Sequence, residues 1–300
     1  MDNLIQWGLS FIQIIQEIQQ PFITSFLQLV TLLGSEMFYL ILFPFLLWCV
    51  NFQIGIRVGV LFLVSVYFNN LLKQLFQQPR PFDLLPEVQF SYAEGFGFPS
   101  GHAQSSILVW CSIAYQSHQR IIWYLAIFLS FLVGFSRIYL GVHFPHDVVG
   151  GWIAGGFIFY LYHFYVMQRV ESIKKFTIDF KTKLFYISLL PVIMLLIPAS
   201  DDMISVVATL TGVGWGLVIN ARFVHFQGAH GTLWQRIARL LIGILGIFIL
   251  YFGLKLFFPQ LGQTAYQIFR FIRYSILGLW IGAGAPWLFV KLQLVGEMKY

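Results

Sequence analysis

The chain has 300 residues, of which 58% are hydrophobic and only 10% charged, with a mean hydropathy of +0.77. Soluble domains carry about 25% charged residues, so this composition excludes a large soluble enzyme and indicates a polytopic membrane protein. The net charge of +6 does not form a basic stripe on a soluble face, so no nucleic-acid partner is expected.

In residues 1–35, Phe11, Ile12, Ile15 and Ile18 recur at helical spacing beside Gln13, Gln16, Glu17, Gln19 and Gln20. Pro21 interrupts this stretch and Gly34-Ser35-Glu36 ends it. The pattern predicts one or two amphipathic helices lying at the membrane interface, with a tenth, proline-kinked span as the alternative. No Lys or Arg precedes Arg57, so the positive start of a cleaved signal peptide is missing. The first membrane helix is expected to act as an uncleaved anchor.

About nine apolar spans follow, near 36–52, 54–75, 103–118, 120–139, 147–168, 184–199, 203–221, 236–258 and 266–290. Each approaches the length that crosses a hydrocarbon core of about 30 Å. The expectation is an all-α, polytopic transmembrane helical bundle, in which the sixth and seventh spans are alternatively one hairpin. Cys49 and Cys111 sit inside apolar runs, so neither a disulfide framework nor zinc-ligand spacing is present. A proline- and glycine-rich loop near 76–102 is the longest connection, and a second polar stretch covers 168–183. These boundaries divide the chain into an N-terminal segment (1–35), a catalytic transmembrane core (36–168) and accessory transmembrane helices (169–300).

With nine spans, Arg57, Arg120, Arg169, Lys174, Lys175, Lys181, Lys183, Arg222, Arg236, Arg239, Lys291 and Lys299 fall on one side. Lys73, Arg80, Arg137, Lys255, Arg270 and Arg273 fall on the other. Basic loops stay cytoplasmic, so the second side is expected to face a periplasm, exterior or lumen.

Three polar clusters lie at that second side: Lys73-x6-Arg80-Pro81, Pro99-Ser100-Gly101-His102 and Ser136-Arg137-x5-His143-x3-Asp147. Taken singly, Lys73 or Arg137 reads as a snorkelling anchor and Ser100 as a helix cap. Together they supply three cations, a hydroxyl, two imidazoles and a carboxylate. Those groups can hold a phosphate, attack it and protonate its leaving group. Pro99-Ser100-Gly101 also precedes a span, whose free N-terminal amides and dipole favour an anion.

This set of motifs resembles the type-2 phosphatidic acid phosphatase family, which shares its fold with vanadium haloperoxidases and glucose-6-phosphatase. The motifs run from Lys73 to Asp147 without a departure. The resemblance implies His143 as nucleophile, Asp147 as its orienting carboxylate and His102 as the acid that protonates the leaving group. It also implies that Lys73, Arg80, Ser100, Gly101 and Arg137 bind the phosphate. No metal or other cofactor is implied, because fixed cations take the role of Mg²⁺. His146 is either a supporting residue or an ordinary interfacial histidine.

The expected function is a membrane-embedded, metal-independent phosphatase of a lipid phosphate or diphosphate. Phosphatidic acid, phosphatidylglycerol phosphate and polyprenyl diphosphate all fit. The expected partners are that substrate and the bilayer, with no obligatory protein partner evident. The site is placed in a bacterial periplasm or, alternatively, an ER lumen. A glucose-6-phosphatase-like hydrolase of a soluble ester and a lipid phosphotransferase are the rivals within enzymes. An inactive transporter or scaffold is the rival outside them. In the accessory half, Lys255, Arg270 and Arg273 are candidate contacts to the substrate head group.

Overall fold

The computed structural model describes residues 2–169, 178–197, 200–257 and 262–295. Every regular element among them is helical. Lys174, Lys175 and Lys299, which entered the orientation reading, lie outside the described residues.

The helices are α1 (Asp2–Gln16), α2 (Pro21–Leu32), α3 (Glu36–Phe45), α4 (Phe52–Phe76) and the short α5 (Pro81–Leu84). Then come α6 (Gly101–Ser117), α7 (Arg120–Tyr139), α8 (Pro145–Leu161), α9 (Phe180–Met194) and α10 (Asp201–Ile219). The series ends with α11 (Leu233–Phe257), α12 (Gln263–Leu279) and α13 (Ala285–Lys291). Among the described residues, six helical stretches are long and apolar enough to cross a membrane. A seventh is counted if α2 and the stretch Glu36–Val50, bent by 50°, form one broken span. The remaining two of the nine expected spans are the shorter helices α6, of 17 residues, and α9, of 15 residues.

The chain divides into two compact units, one of residues 1–40 and 68–172, the other of 41–67 and 173–300. Residues 41–67 thus group with the C-terminal spans, whereas the sequence boundaries kept 36–168 together. In the second unit, Trp48 shows why: its indole N–H donates to the Ile281 carbonyl, and its ring packs edge-on against Phe289.

In the first unit, α6, α7 and α8 form the scaffold. On α8, a Cβ at Gly151 would lie 2.5 Å from the Ser100 carbonyl oxygen, and one at Gly155 would lie 2.4 Å from that of Gln104. Only glycine, four residues apart, lets the two backbones approach this closely. The outer surface of α7 carries Ile121, Tyr124, Phe128 and Phe131, all exposed. Its inner side buries Ser130, Val133, Gly134 and Arg137.

Residues 1–35 form two helices, with Pro21 in the first turn of α2, where its missing N–H costs nothing. Gln16, placed on the polar face by its spacing, turns inward and donates to the carbonyls of Val88 and Tyr139, both at 2.8 Å. Leaving a buried carbonyl without a donor costs about 1–3 kcal/mol, which outweighs keeping the amide in water. Ile12 is fully buried beside Val88, Ile138, Phe144 and Val148. Further along, Thr24 shares a hydrogen bond with the Tyr139 hydroxyl, and Gln28 donates to the Phe90 carbonyl.

Candidate active site

All three polar clusters lie in the first unit. α8 begins at Pro145 after Phe144, and Asp147 is its third residue. The buried Asp147 Oδ2 accepts the Phe144 N–H at 2.9 Å, capping the helix start. Four residues earlier, His143 Nδ1 lies 3.4 Å from the same oxygen. A carboxylate at Nδ1 holds the proton there and leaves Nε2 with a free lone pair. His143 Nε2 faces Arg80 Nη1 at 3.2 Å.

Arg80 is fixed by backbone. Its Nε donates to the Gly95 carbonyl (2.7 Å), Nη2 to that of Glu94 (2.6 Å) and Nη1 to that of Val142 (2.9 Å). Asp83 accepts the Arg80 amide at 2.8 Å, so α5 serves to lock this arginine in place. His143 is 98% shielded from solvent. Burial, then the charges of Arg80, Arg137 and Lys73 and the neighbouring His102, push its imidazole well below the usual histidine range. It is therefore neutral, the form in which a nitrogen lone pair attacks.

Ser100 caps α6, its Oγ accepting the Ala103 N–H at 3.4 Å, and its own amide donates to the Asp147 carbonyl at 2.9 Å. That second bond joins the start of α6 to the start of α8. Gly101 and His102 open α6, where amides have no carbonyl one turn earlier and point toward the loop. His102 is partly exposed and packs against Gly34, whose added Cβ would lie 2.9 Å from the imidazole Cδ2. Lys73 lies in the last turn of α4. Arg137, in the last turn of α7, is buried, and its Nη1 donates to Thr31 Oγ1 at 2.8 Å. Between Arg137 and His143, Gly141 adopts φ +70, and a Cβ there would stand 1.8 Å from the Val88 carbonyl oxygen.

The structure thus brings Arg80, His143, Asp147, Ser100 and Arg137 together with the start of α6. It adds groups that spacing did not single out. Gln78 donates to Asp147 Oδ1 (2.9 Å) and to His146 Nε2 (2.6 Å). Asn69 donates to Gln104 Oε1 (2.8 Å) and to the Pro99 carbonyl (3.2 Å) beside Ser100. Gln78 lies inside the Lys73-x6-Arg80 stretch, which was the one available signal. His146 stacks on Phe144 with ring planes 10° apart.

Lys255, Arg270 and Arg273 lie in the second unit. Lys255 is exposed at the end of α11. Arg270 donates to Ser205 Oγ (2.7 Å) and the Tyr266 hydroxyl (2.8 Å), and it pairs with Asp201 (3.6 Å) and Asp202 (3.4 Å). Arg273 is buried with its guanidinium 5.2 Å from the Tyr251 ring centre. Among the described residues, no three His, Cys, Asp or Glu side chains cluster as metal ligands would.

Imidazoles, a buried carboxylate and fixed cations at the ends of α4, α6, α7 and α8 are groups that can handle a phosphate ester. Residues 54–171 match the PAP2 superfamily, and residues 204–297 match the transmembrane extension of PAP2 superfamily phosphatases. The chain is 33% identical to phosphatidylglycerophosphatase B of Bacillus subtilis over 172 residues, 53% of this chain and 81% of that protein. It is 31% identical over 111 residues to an undecaprenyl-diphosphatase of Sulfolobus acidocaldarius, 36% of this chain and 53% of that protein. A probable sphingosine-1-phosphate phosphatase of Dictyostelium discoideum is 27% identical over 152 residues, 46% of this chain and only 37% of that protein. The solved structure of a transmembrane PAP2-type phosphatidylglycerolphosphate phosphatase from Bacillus subtilis superposes with a TM-score of 0.50 at 27% identity. That match covers 59% of this chain and 90% of that one. The chain belongs to the PAP2 superfamily and is a phosphoric ester hydrolase of its membrane lipid phosphatase branch.

Proposed function

We propose that the protein hydrolyses a lipid phosphate or diphosphate through a phosphohistidine on His143, without a metal, at the non-cytoplasmic face of the membrane. The observation that carries the mechanism is the line from Asp147 Oδ2 through the His143 ring to Arg80. His143 Nε2 attacks phosphorus as the bond to the leaving oxygen breaks. Asp147 keeps the Nδ1 proton and stabilises the imidazolium that forms. His102 gives its proton to the leaving oxygen, which departs as an alcohol or a phosphate. In the second step, the now neutral His102 takes a proton from water, and the hydroxide attacks phosphorus. The Nε2–P bond breaks and phosphate leaves. Lys73, Arg80, Arg137, Ser100 and the Gly101 amide hold the equatorial oxygens while negative charge gathers there.

The relatives act, by name, on phosphatidylglycerophosphate, undecaprenyl diphosphate and sphingosine 1-phosphate. The shared chemistry is a phosphate group on a membrane-anchored tail. Phosphate release from a panel of these lipids and glucose 6-phosphate, with EDTA present, tests the reading. Turnover of lipid substrates in EDTA supports it. Turnover of glucose 6-phosphate alone, or a strict metal requirement, contradicts it.

The outward orientation rests on the distribution of Lys and Arg. The assignment of Lys255, Arg270 and Arg273 to the head group rests on their charge alone. It predicts that Arg270→Ala raises KM for the lipid while sparing a small aryl phosphate.

A further inference from the structure

The N-terminal helices reach the reacting groups at two points. At the end of α2, Thr31 Oγ1 accepts a hydrogen bond from Arg137 Nη1 at 2.8 Å, 106 residues away in sequence. Three residues on, Gly34 packs on His102 and Val133 so closely that a Cβ would sit 2.9 Å from each. Thr31 is 7% exposed and Arg137 4%. Neither Thr31 nor Gly34 falls within residues 54–171, which carry the superfamily match.

Arg137 differs from Arg80 in how it is held. Arg80 has three carbonyl acceptors and a carboxylate partner at its amide. Arg137 has the Thr31 hydroxyl, while its Nε has no partner among the described residues. A guanidinium held by one acceptor through a single N–H is oriented by that bond, and its remaining N–H groups stay available for an anion. The hydroxyl of a β-branched residue on a helix is a stiff acceptor, since Thr has few χ1 rotamers.

We propose that Thr31 is a positioning residue: it aims the Arg137 guanidinium at the phosphate, making the end of α2 part of the catalytic apparatus. This rests on the reading of Arg137 as a phosphate ligand, and the Arg137→Ala variant separates the two. Because the phosphate oxygens gain charge in the transition state, misaiming Arg137 lowers kcat more than it raises KM.

The experiment measures kcat, KM and inhibition by orthovanadate for purified Thr31→Val, Thr31→Ser and Arg137→Ala, and for the Thr31→Val, Arg137→Ala double variant. An activated aryl phosphate keeps residual rates measurable. Thr31→Val keeps the shape of the side chain and removes the acceptor. It should lose about tenfold in kcat, the scale of one charge-assisted hydrogen bond, with KM changed less than about twofold. Its vanadate inhibition constant should rise in parallel, and Thr31→Ser should restore both. In the Arg137→Ala background, Thr31→Val should cost nothing further. If Thr31→Val folds poorly, Thr31→Ala in the same cycle decides the matter. Additive losses in the double variant, or wild-type kinetics in both Thr31→Val and Thr31→Ala, overturn the proposal. An active Arg137→Ala protein instead overturns the reading of Arg137 beneath it.

Discussion

Asp147 Oδ2 lies 3.4 Å from His143 Nδ1 and also takes the Phe144 amide at 2.9 Å. One oxygen therefore caps α8 and orients the imidazole just before it. The helix start and the proposed nucleophile share a single structural support, and Nε2 is turned toward Arg80.

Asp147→Asn should keep the cap contact in part but allow the amide to donate toward Nδ1. The wrong tautomer then puts the proton on Nε2. Turnover should fall by roughly 10³–10⁴ with KM little changed, as for an orienting carboxylate in other imidazole sites. Steady-state kinetics on a detergent-solubilised protein check this, and a loss below about tenfold would argue against the tautomer role.

The acid limb of activity should lie low. In the proposed mechanism His143 attacks as a neutral imidazole, so protonation removes the nucleophile, and activity falls as pH drops through its pKa. Burial and neighbouring cations hold that pKa well below the ordinary histidine range. The acid limb of kcat/KM set by His143 should therefore lie below about 6.5, the free imidazole value. A pH–rate profile on the aryl phosphate reads it directly, and a limb above that value contradicts the electrostatic account.

Gly141 should tolerate no side chain. At φ +70 and with the Val88 carbonyl 1.8 Å from an added Cβ, Gly141→Ala must displace the turn between Arg137 and His143. A loss of about 1–3 kcal/mol in stability is expected. A thermal melt in detergent measures it, together with reduced turnover at a temperature where the variant is still folded. An unchanged melt would show that the turn has room to move.

Glu87→Cys reports the side of the membrane. Glu87 is exposed in the loop between α4 and α6, and both native cysteines are buried. A membrane-impermeant thiol reagent should label the variant in intact cells. Labelling only after permeabilisation would reverse the orientation.

Much of the fold was legible because apolar runs report helices directly. The run 120–139 coincides with α7, Arg120–Tyr139, residue for residue. Over their described residues, the other eight runs also fall on helices, with ends shifted by a few residues. Ser100 and Ser200, for instance, cap α6 and α10 slightly before the apolar runs begin. The polar clusters were legible because ionisable groups are scarce in such a chain. Gln16, Gln78 and Thr31 were not. Each acts through a partner set by tertiary packing: Tyr139 for Gln16, Asp147 for Gln78 and Arg137 for Thr31. No local spacing encodes a contact across 106 residues. The grouping of 41–67 with the C-terminal spans was hidden for the same reason, since Trp48 is apolar wherever it packs.

The central claim, covalent transfer to His143, is best tested in the His102→Ala protein with p-nitrophenyl phosphate. That leaving group needs no proton, so the first step survives, while water activation in the second is lost. Rapid denaturation at alkaline pH followed by peptide mass mapping should find phosphate on His143, at higher occupancy than in the wild type. Phosphate on any other residue, or continued turnover by a well-folded His143→Ala protein, would contradict the account.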